Sequence, residues 1–293
     1  MLWRELDMLA KCLLVLILIL LLTLFIYTQS RGFKVVRYRF INKKLKVDHF
    51  RFALISDLHD EDHGNYNEEV LKALHDEDPD VVFLAGDMVT TSMELEYHST
   101  VALRFIRDVA ARYPICYGIG NHEEKLKRCP EKFPGEYDKY VSALKDMGVS
   151  MLTDEKVSIE EAGIDVYGLD LEHEYFRKLL INPIPGDYLK RKFGDPDPDR
   201  ISILIAHDPE HFDSYALWHP DYVLSGHVHG GIINIPPFGG LVSPQLKLFP
   251  KYDAGLFEKD GTTMILSRGL GSHTVPVRIN NKAEVVIVDI YRE

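Results

Sequence analysis

Cysteine is scarce in this chain. Cys12, Cys116 and Cys129 are its three thiols, none falls in a Cys-x-x-Cys pair, and they cannot build a disulfide framework. Positive charge is in short supply too: 34 Lys and Arg against 45 Asp and Glu leave a net charge of -11. Nucleic-acid backbones recruit clustered cations, so no nucleic-acid partner is expected. Any phosphate substrate must then be met by local positive charge, which bound divalent metals would supply. No internal repeat or low-complexity tract is present, which excludes a solenoid or array.

What is present is enough apolar material, 46% of 293 residues, for one large core or two modest ones. Residues 1–30 read as a membrane anchor, 31–49 as a juxtamembrane linker or edge strand, and 50–293 as one catalytic domain. Cys12 to Tyr27 is almost wholly apolar, and Met8 to Lys11, with the lysine snorkelling, extends it toward a ~30 Å hydrocarbon core. A cleaved signal peptide is the alternative, but Thr28-Gln29-Ser30-Arg31 is no small-x-small cleavage site, so an uncleaved single-pass anchor in the cell membrane is expected. Arg31, Lys34, Arg37, Arg39, Lys43, Lys44 and Lys46 favour a cytoplasmic domain, whereas the short cationic amino terminus favours the reverse. The charges assign no side.

Along the rest of the chain, Phe50 to Ile55, Val81 to Ala85 and Ile115 to Ile119 read as buried strands. Helices are predicted over Asn67 to His75, Glu94 to Arg112 and Tyr137 to Met147. Short strands follow at Ser150 to Leu152, Val157 to Glu160, Ile164 to Leu169, Ile201 to Ala206, Tyr222 to Ser225, Ile232 to Ile235, Thr262 to Ser267 and Glu284 to Ile290. Pro183 to Pro198 reads as a surface loop. Alternating elements early and strands together later predict a layered α/β/β/α sandwich of two mixed sheets flanked by helices.

Five polar clusters follow apolar runs: Asp57-Leu58-His59, Gly86-Asp87, Gly120-Asn121-His122-Glu123, Ala206-His207 and Gly226-His227-Val228-His229. A lone Asp at a strand end is more often a cap, and a lone His more often packed or exposed. Five clusters in order outweigh that reading. Carboxylate, amide and imidazole together suit a two-metal site, with a carboxylate bridging ions about 3.5–4 Å apart. Asp87 is the natural bridge. His122 could protonate a leaving alkoxide, work that suits imidazole near neutral pH.

The series Asp57-x-His59, Gly86-Asp87, Gly120-Asn121-His122-Glu123, His207, Gly226-His227-x-His229 resembles the calcineurin-like metallophosphoesterases. Gly230-Gly231, Pro236-Pro237, Phe249-Pro250-Lys251-Tyr252, Gly255-Leu256 and Ser267-Arg268-Gly269-Leu270-Gly271 are similar to its membrane-associated bacterial branch, while Asp60-Glu61-Asp62-His63 departs from it. The resemblance implies that Asp57, His59 and His229 hold one metal, that Asp87 bridges, that Asn121, His207 and His227 hold the other, and that His122 is the acid or transition-state partner. Two divalent ions, Mn, Fe or Zn with Mn favoured, would serve a phosphomono-, phosphodi- or pyrophosphate ester hydrolase acting on lipid or cell-envelope substrates.

Arg268 is a candidate phosphate clamp or a structural ion pair; Asp60 and His63 read as loop surface; Glu123 and Asp208 are candidates to orient imidazoles. His173, His211, His219 and His273 receive no role, and the sequence sets no oligomeric state. A catalytically silent scaffold is the rival reading, opposed by the intact ligand set, and a nuclease is opposed by the acidic charge and the anchor.

Overall fold

In strand His49–Ile55, Phe52 and Leu54 point to one apolar core while Ala53 and Ile55 point to another, the two-residue period of a strand buried on both faces. The computed structural model describes residues 2–91, 97–176, 182–235, 239–242, 248–272 and 277–293; His273 and residues 94–96 of the predicted second helix lie outside these.

Two six-stranded sheets stack face to face. The first runs across Phe33–Ile41, Ala283–Tyr291, His49–Ile55, Val81–Ala85, Ile115–Gly118 and Ser150–Leu152, parallel except where Ala283–Tyr291 meets His49–Ile55. The second runs across Gly255–Lys259, Thr262–Leu266, Tyr222–Ser225, Ile201–Ile205, Ile164–Gly168 and Glu155–Ile159, antiparallel at both edges. Phe52, Leu54, Phe83, Val286 and Val288 of the first sheet meet Ile164, Val166, Ile203, Ile205 and Leu224 of the second, and each such side chain contributes about 1.5–3 kcal/mol on burial.

Helices Glu68–Glu77, Thr100–Ala110 and Glu136–Asp146 cover the outer face of the first sheet through Val70, Leu74, Phe105, Ile106, Tyr140 and Leu144. Phe212, Tyr215 and Trp218 cover the second through Tyr167, Leu204 and Val223. The layers are α/β/β/α.

Local departures have local causes. The second helix starts at Thr100, because Tyr97–His98 pairs antiparallel with Thr90–Thr91 before it. The expected loop at Pro183 to Pro198 contains helix Tyr188–Phe193, which buries Tyr188 and Leu189. Only Asn234–Ile235 of the run from Ile232 is strand. Helix Leu2–Ser30 meets the sandwich through Ser30 at its carboxy-terminal end, and its Ala10–Ser30 part, 21 residues whose apolar stretch is unburied, is long and apolar enough to cross a membrane.

Candidate metal centre

The parallel strands that end at Ile55, Ala85, Gly118, Ile205 and Ser225 deliver the polar clusters to one end of the sandwich. Hydrogen bonds tie these ends together: Asp57 N–H to Gly86 O at 3.0 Å, His59 N–H to Asp87 O at 3.0 Å and Gly226 N–H to His207 O at 3.0 Å. The turns are sharp. Asp57, His59, Asp87, His227 and His229 all have left-handed backbones, with φ between 50° and 74°, at a cost of roughly 1–2 kcal/mol for each non-glycine residue. Such strain persists where the surroundings over-determine it, and it clusters at functional sites. Gly86 is required here: its φ is +83°, and a Cβ would meet Gly120 Cα at 2.6 Å and His207 Nδ1 at 2.7 Å.

Among the described residues, three groups of side chains place potential ligand atoms within 4.8 Å of one another: Asp57, His59 and His229; Asp87, His207 and His227; and His59, Asp87 and His122. His227 and His229, two residues apart, therefore point into different groups. Hydrogen bonds decide what each imidazole offers. His207 Nδ1 donates to Ala85 O at 2.6 Å and His229 Nδ1 to Gly271 O at 3.1 Å, so in the neutral ring each turns an Nε2 lone pair inward. His229 Nε2 lies 3.1 Å from His59 Nε2, with the rings stacked, and His207 Nε2 lies 3.1 Å from Asp87 Oδ2. Lone pairs converging this closely call for a cation between them. Among the described residues, the buried atoms Asp57 Oδ2 and Asn121 Oδ1 have no hydrogen-bond partner, which a metal would satisfy. The donor set fits divalent ions.

His122 differs. Its Nδ1 accepts the Thr91 N–H at 2.8 Å, so in the neutral ring the proton sits on Nε2, 4.0 Å from Asp87 Oδ2. That nitrogen is a donor rather than a ligand. His122 is the second residue of helix Asn121–Arg128, which the sequence pattern did not mark, and its backbone N–H reaches Asp87 Oδ1 at 2.8 Å.

Glu123, on the same helix, is fully buried and orients backbone rather than an imidazole. Its carboxylate accepts the N–H groups of Asp87, Met88 and Gly120 at 2.9 Å each and the Tyr117 hydroxyl at 2.6 Å. Local electrostatics express the same demand for positive charge. Burial raises the Asp57 carboxyl to about 6 despite the opposing pull of His207. Burial works against a charged His207, but Asp87 overcomes it and raises the imidazole to about 10.

Other expectations resolve case by case. Arg268 donates to Asn281 Oδ1 at 2.7 Å and lies 3.5 Å from Glu284. Asp60 and His63 are not solvated loop: Asp60 accepts the Ala102 N–H in the first turn of helix Thr100–Ala110, and His63 Nε2 bonds Leu270 O at 2.9 Å. Asp208 caps the turn at Pro209 and approaches His227 Nε2 at 3.7 Å. Buried His211 bonds Tyr175 O.

Sequence reasoning missed Arg278, whose buried guanidinium donates to Arg268 O at 2.9 Å and to Gly271 O at 2.7 Å, the carbonyl that holds His229. It missed Asn281 as well, which donates to His229 O at 2.6 Å. Neither sits in a cluster or a periodic run that would have marked it.

Comparison with known proteins agrees with this geometry. Residues 50–231 match the sequence model of the calcineurin-like phosphoesterase family. The metallophosphoesterase YkoQ of Bacillus subtilis is 26% identical over 91% of this chain and 94% of its own length. YkuE, a second B. subtilis metallophosphoesterase, is 26% identical over 82% of this chain and 78% of its own. The Escherichia coli phosphodiesterase YaeI is 22% identical over 90% of each chain. With the matched segment spanning every polar cluster from Asp57 to His229, the chain belongs to the calcineurin-like phosphoesterase family and is a phosphoester hydrolase.

Proposed function

We propose that the chain is a membrane-anchored, dinuclear metal-dependent phosphoesterase that hydrolyses phosphomono-, phosphodi- or pyrophosphate esters of lipid or cell-envelope substrates. One observation carries this reading: Asp87 shares one group of potential ligands with His207 and His227 and a second with His59, which itself belongs with Asp57 and His229. Asp57, His59 and His229 would hold one ion, Asn121, His207 and His227 the other, and Asp87 would touch both. Mn is the favoured ion. When bound, the two cations polarise the phosphoryl oxygens and make water acidic enough to attack in line.

The chain's own groups do the rest. Glu123 keeps the Asp87 turn in its strained conformation, and the carbonyls of Ala85 and Gly271 hold His207 and His229 in the Nδ1–H tautomer. His122, its Nδ1 occupied by Thr91, presents Nε2–H to the leaving oxygen and gives up its proton as the ester bond breaks. Arg268, engaged with Asn281 and Glu284, supports the loop behind the site.

The test is metal analysis of the purified protein coupled to a panel of mono-, di- and pyrophosphate substrates. About two equivalents of metal, turnover abolished by a chelator and restored by Mn, are expected. Undiminished turnover by chelated, metal-free protein would overturn the reading.

A further inference from the structure

The carboxy-terminal end of the apolar helix is tied to the floor of the metal centre. Ser30, its last residue, accepts the Arg278 N–H at 3.0 Å and donates to Arg278 O at 3.3 Å. The Arg278 side chain, in turn, holds the Gly271 carbonyl beneath His229. One residue past that clasp a hydrogen-bonded ladder begins: Ile279 N–H to Ile232 O at 3.0 Å, Leu241 N–H to Ile233 O at 2.8 Å and Phe249 N–H to Leu241 O at 3.0 Å. With rungs ~4.8 Å apart, Phe249 stands within about 20 Å of the helix end.

This ribbon groups several exposed apolar side chains. Ile235 is 41%, Leu248 69% and Phe249 61% exposed, whereas the other exposed large apolar residues outside the helix among the described residues, Ile41, Tyr66, Leu217 and Leu256, are single positions on separate segments of the chain. The helix end has the chemistry of a membrane interface, with the Arg31 guanidinium stacked 4.4 Å from the Tyr27 ring. Ser30 lies between them in sequence, so the clasp to Arg278 joins this end of the helix to the loop that holds His229.

From this juxtaposition we infer that the ribbon carrying Ile235, Leu248 and Phe249 docks on the bilayer surface beside the anchor, so that the site takes a bilayer-resident phosphate ester. The inference rests on the anchored phosphoesterase reading and narrows it. The helix does more than tether, because its last turn shares Arg278 with the His229 loop. The ribbon supplies a second apolar contact that holds the His229 side of the site against the headgroup layer. A lipid phosphate then reaches the metal ligands without leaving the bilayer.

The test uses the full chain reconstituted in vesicles of phosphatidylcholine with a minor fraction of phosphatidylglycerol. One probe is a nitrophenylphosphoryl diacylglycerol in the bilayer; the other is soluble bis(p-nitrophenyl) phosphate. In both, water adds to phosphorus, the aryl P–O bond breaks and nitrophenolate leaves. The double variant Leu248→Asp, Phe249→Asp is expected to lose about tenfold in kcat/KM on the bilayer ester, a conservative reading of two lost apolar insertions, and less than about twofold on the soluble one. Equal effects on both esters, or none on either, would overturn the docking surface. In Phe249→Trp, shallow nitroxide lipids should quench fluorescence beyond the level of the parent, whose tryptophans are Trp3 and Trp218. Absence of added quenching would also overturn it. If the parent hydrolyses neither ester, the enzymatic reading falls instead, and the quenching still decides the docking.

Discussion

The two halves of the candidate metal centre are built from the same residue types and supported differently. Around Asp87, His207 and His227, support comes from a strand and a helix: Ala85, the last residue of a central strand, holds His207, and Glu123 of helix Asn121–Arg128 holds the Asp87 turn through several amides. Around Asp57, His59 and His229, it comes from the loop at Arg268 to Gly271, gathered by the Arg278 guanidinium and joined through Arg278 to Ser30. One half is framed by regular backbone and the other by a single buried cation. The difference teaches that one half is braced within the sandwich, whereas the other is joined through Arg278 to the end of the apolar helix.

The largest effect is expected where the halves meet. Asp87→Asn removes the carboxylate that the two proposed ion sites would share, and kcat should fall by about 10³-fold, the scale for losing a central electrostatic contact. Metal analysis of the variant should show fewer bound ions than the parent; full occupancy with undiminished turnover would break the idea of a shared ligand. Glu123→Ala comes next. It strips a buried acceptor from the amides of Asp87, Met88 and Gly120, and about 3 kcal/mol of stability should go with it. Denaturant unfolding checks this, with Glu123→Gln recovering part of the loss.

Arg278→Lys sharpens the contrast because a lysine cannot reach the carbonyls of Arg268 and Gly271 with one planar fork. Metal affinity of the half containing His229 should drop about tenfold, the lower end for losing a group behind a ligand, while the half containing His207 keeps its affinity. Stepwise metal titration separates the two. A uniform weakening of both ions would show that Arg278 supports the whole fold rather than one half of it.

The sequence showed the framework half more fully than the loop half, for a physical reason. Strands Val81–Ala85 and Tyr222–Ser225 are continuous apolar runs that stop at glycine and ligand-type residues, so the pattern marks both the strand and the chemistry. Arg278 and Asn281 act across long stretches of chain, through carbonyls that every residue possesses, and no local period announces such a contact. The edge strand Phe33–Ile41 was half legible. Its alternation marked a strand or linker, but its parallel partner is the strand Ala283–Tyr291 at the far end of the chain. The helix at Asn121 escaped because its first turn is filled with site residues, and its capping residue Glu123 read as a companion of the ligands.

The smallest effect separates the halves by pH. In metal-free protein, Asp57 is raised from 3.8 to about 6 by burial, so between those values the folded state holds a proton that the unfolded state has released. Stability therefore falls as pH rises through that acidic window. His207 is raised from 6.5 to about 10 by Asp87 against the opposing effect of burial, so its contribution is complete below 6.5 and is lost as pH climbs to about 10. The two halves thus lose stability in the same direction but in separate windows. Thermal unfolding of chelated protein across both windows checks this, with a Tm shift of about 2–4 °C for each kcal/mol lost. In Asp87→Asn the decline in the upper window should vanish while the one near the Asp57 titration persists; loss of both together would mean that the halves titrate as one unit. Because metal binding releases protons from its ligands, the gap between loaded and chelated protein should widen as pH rises.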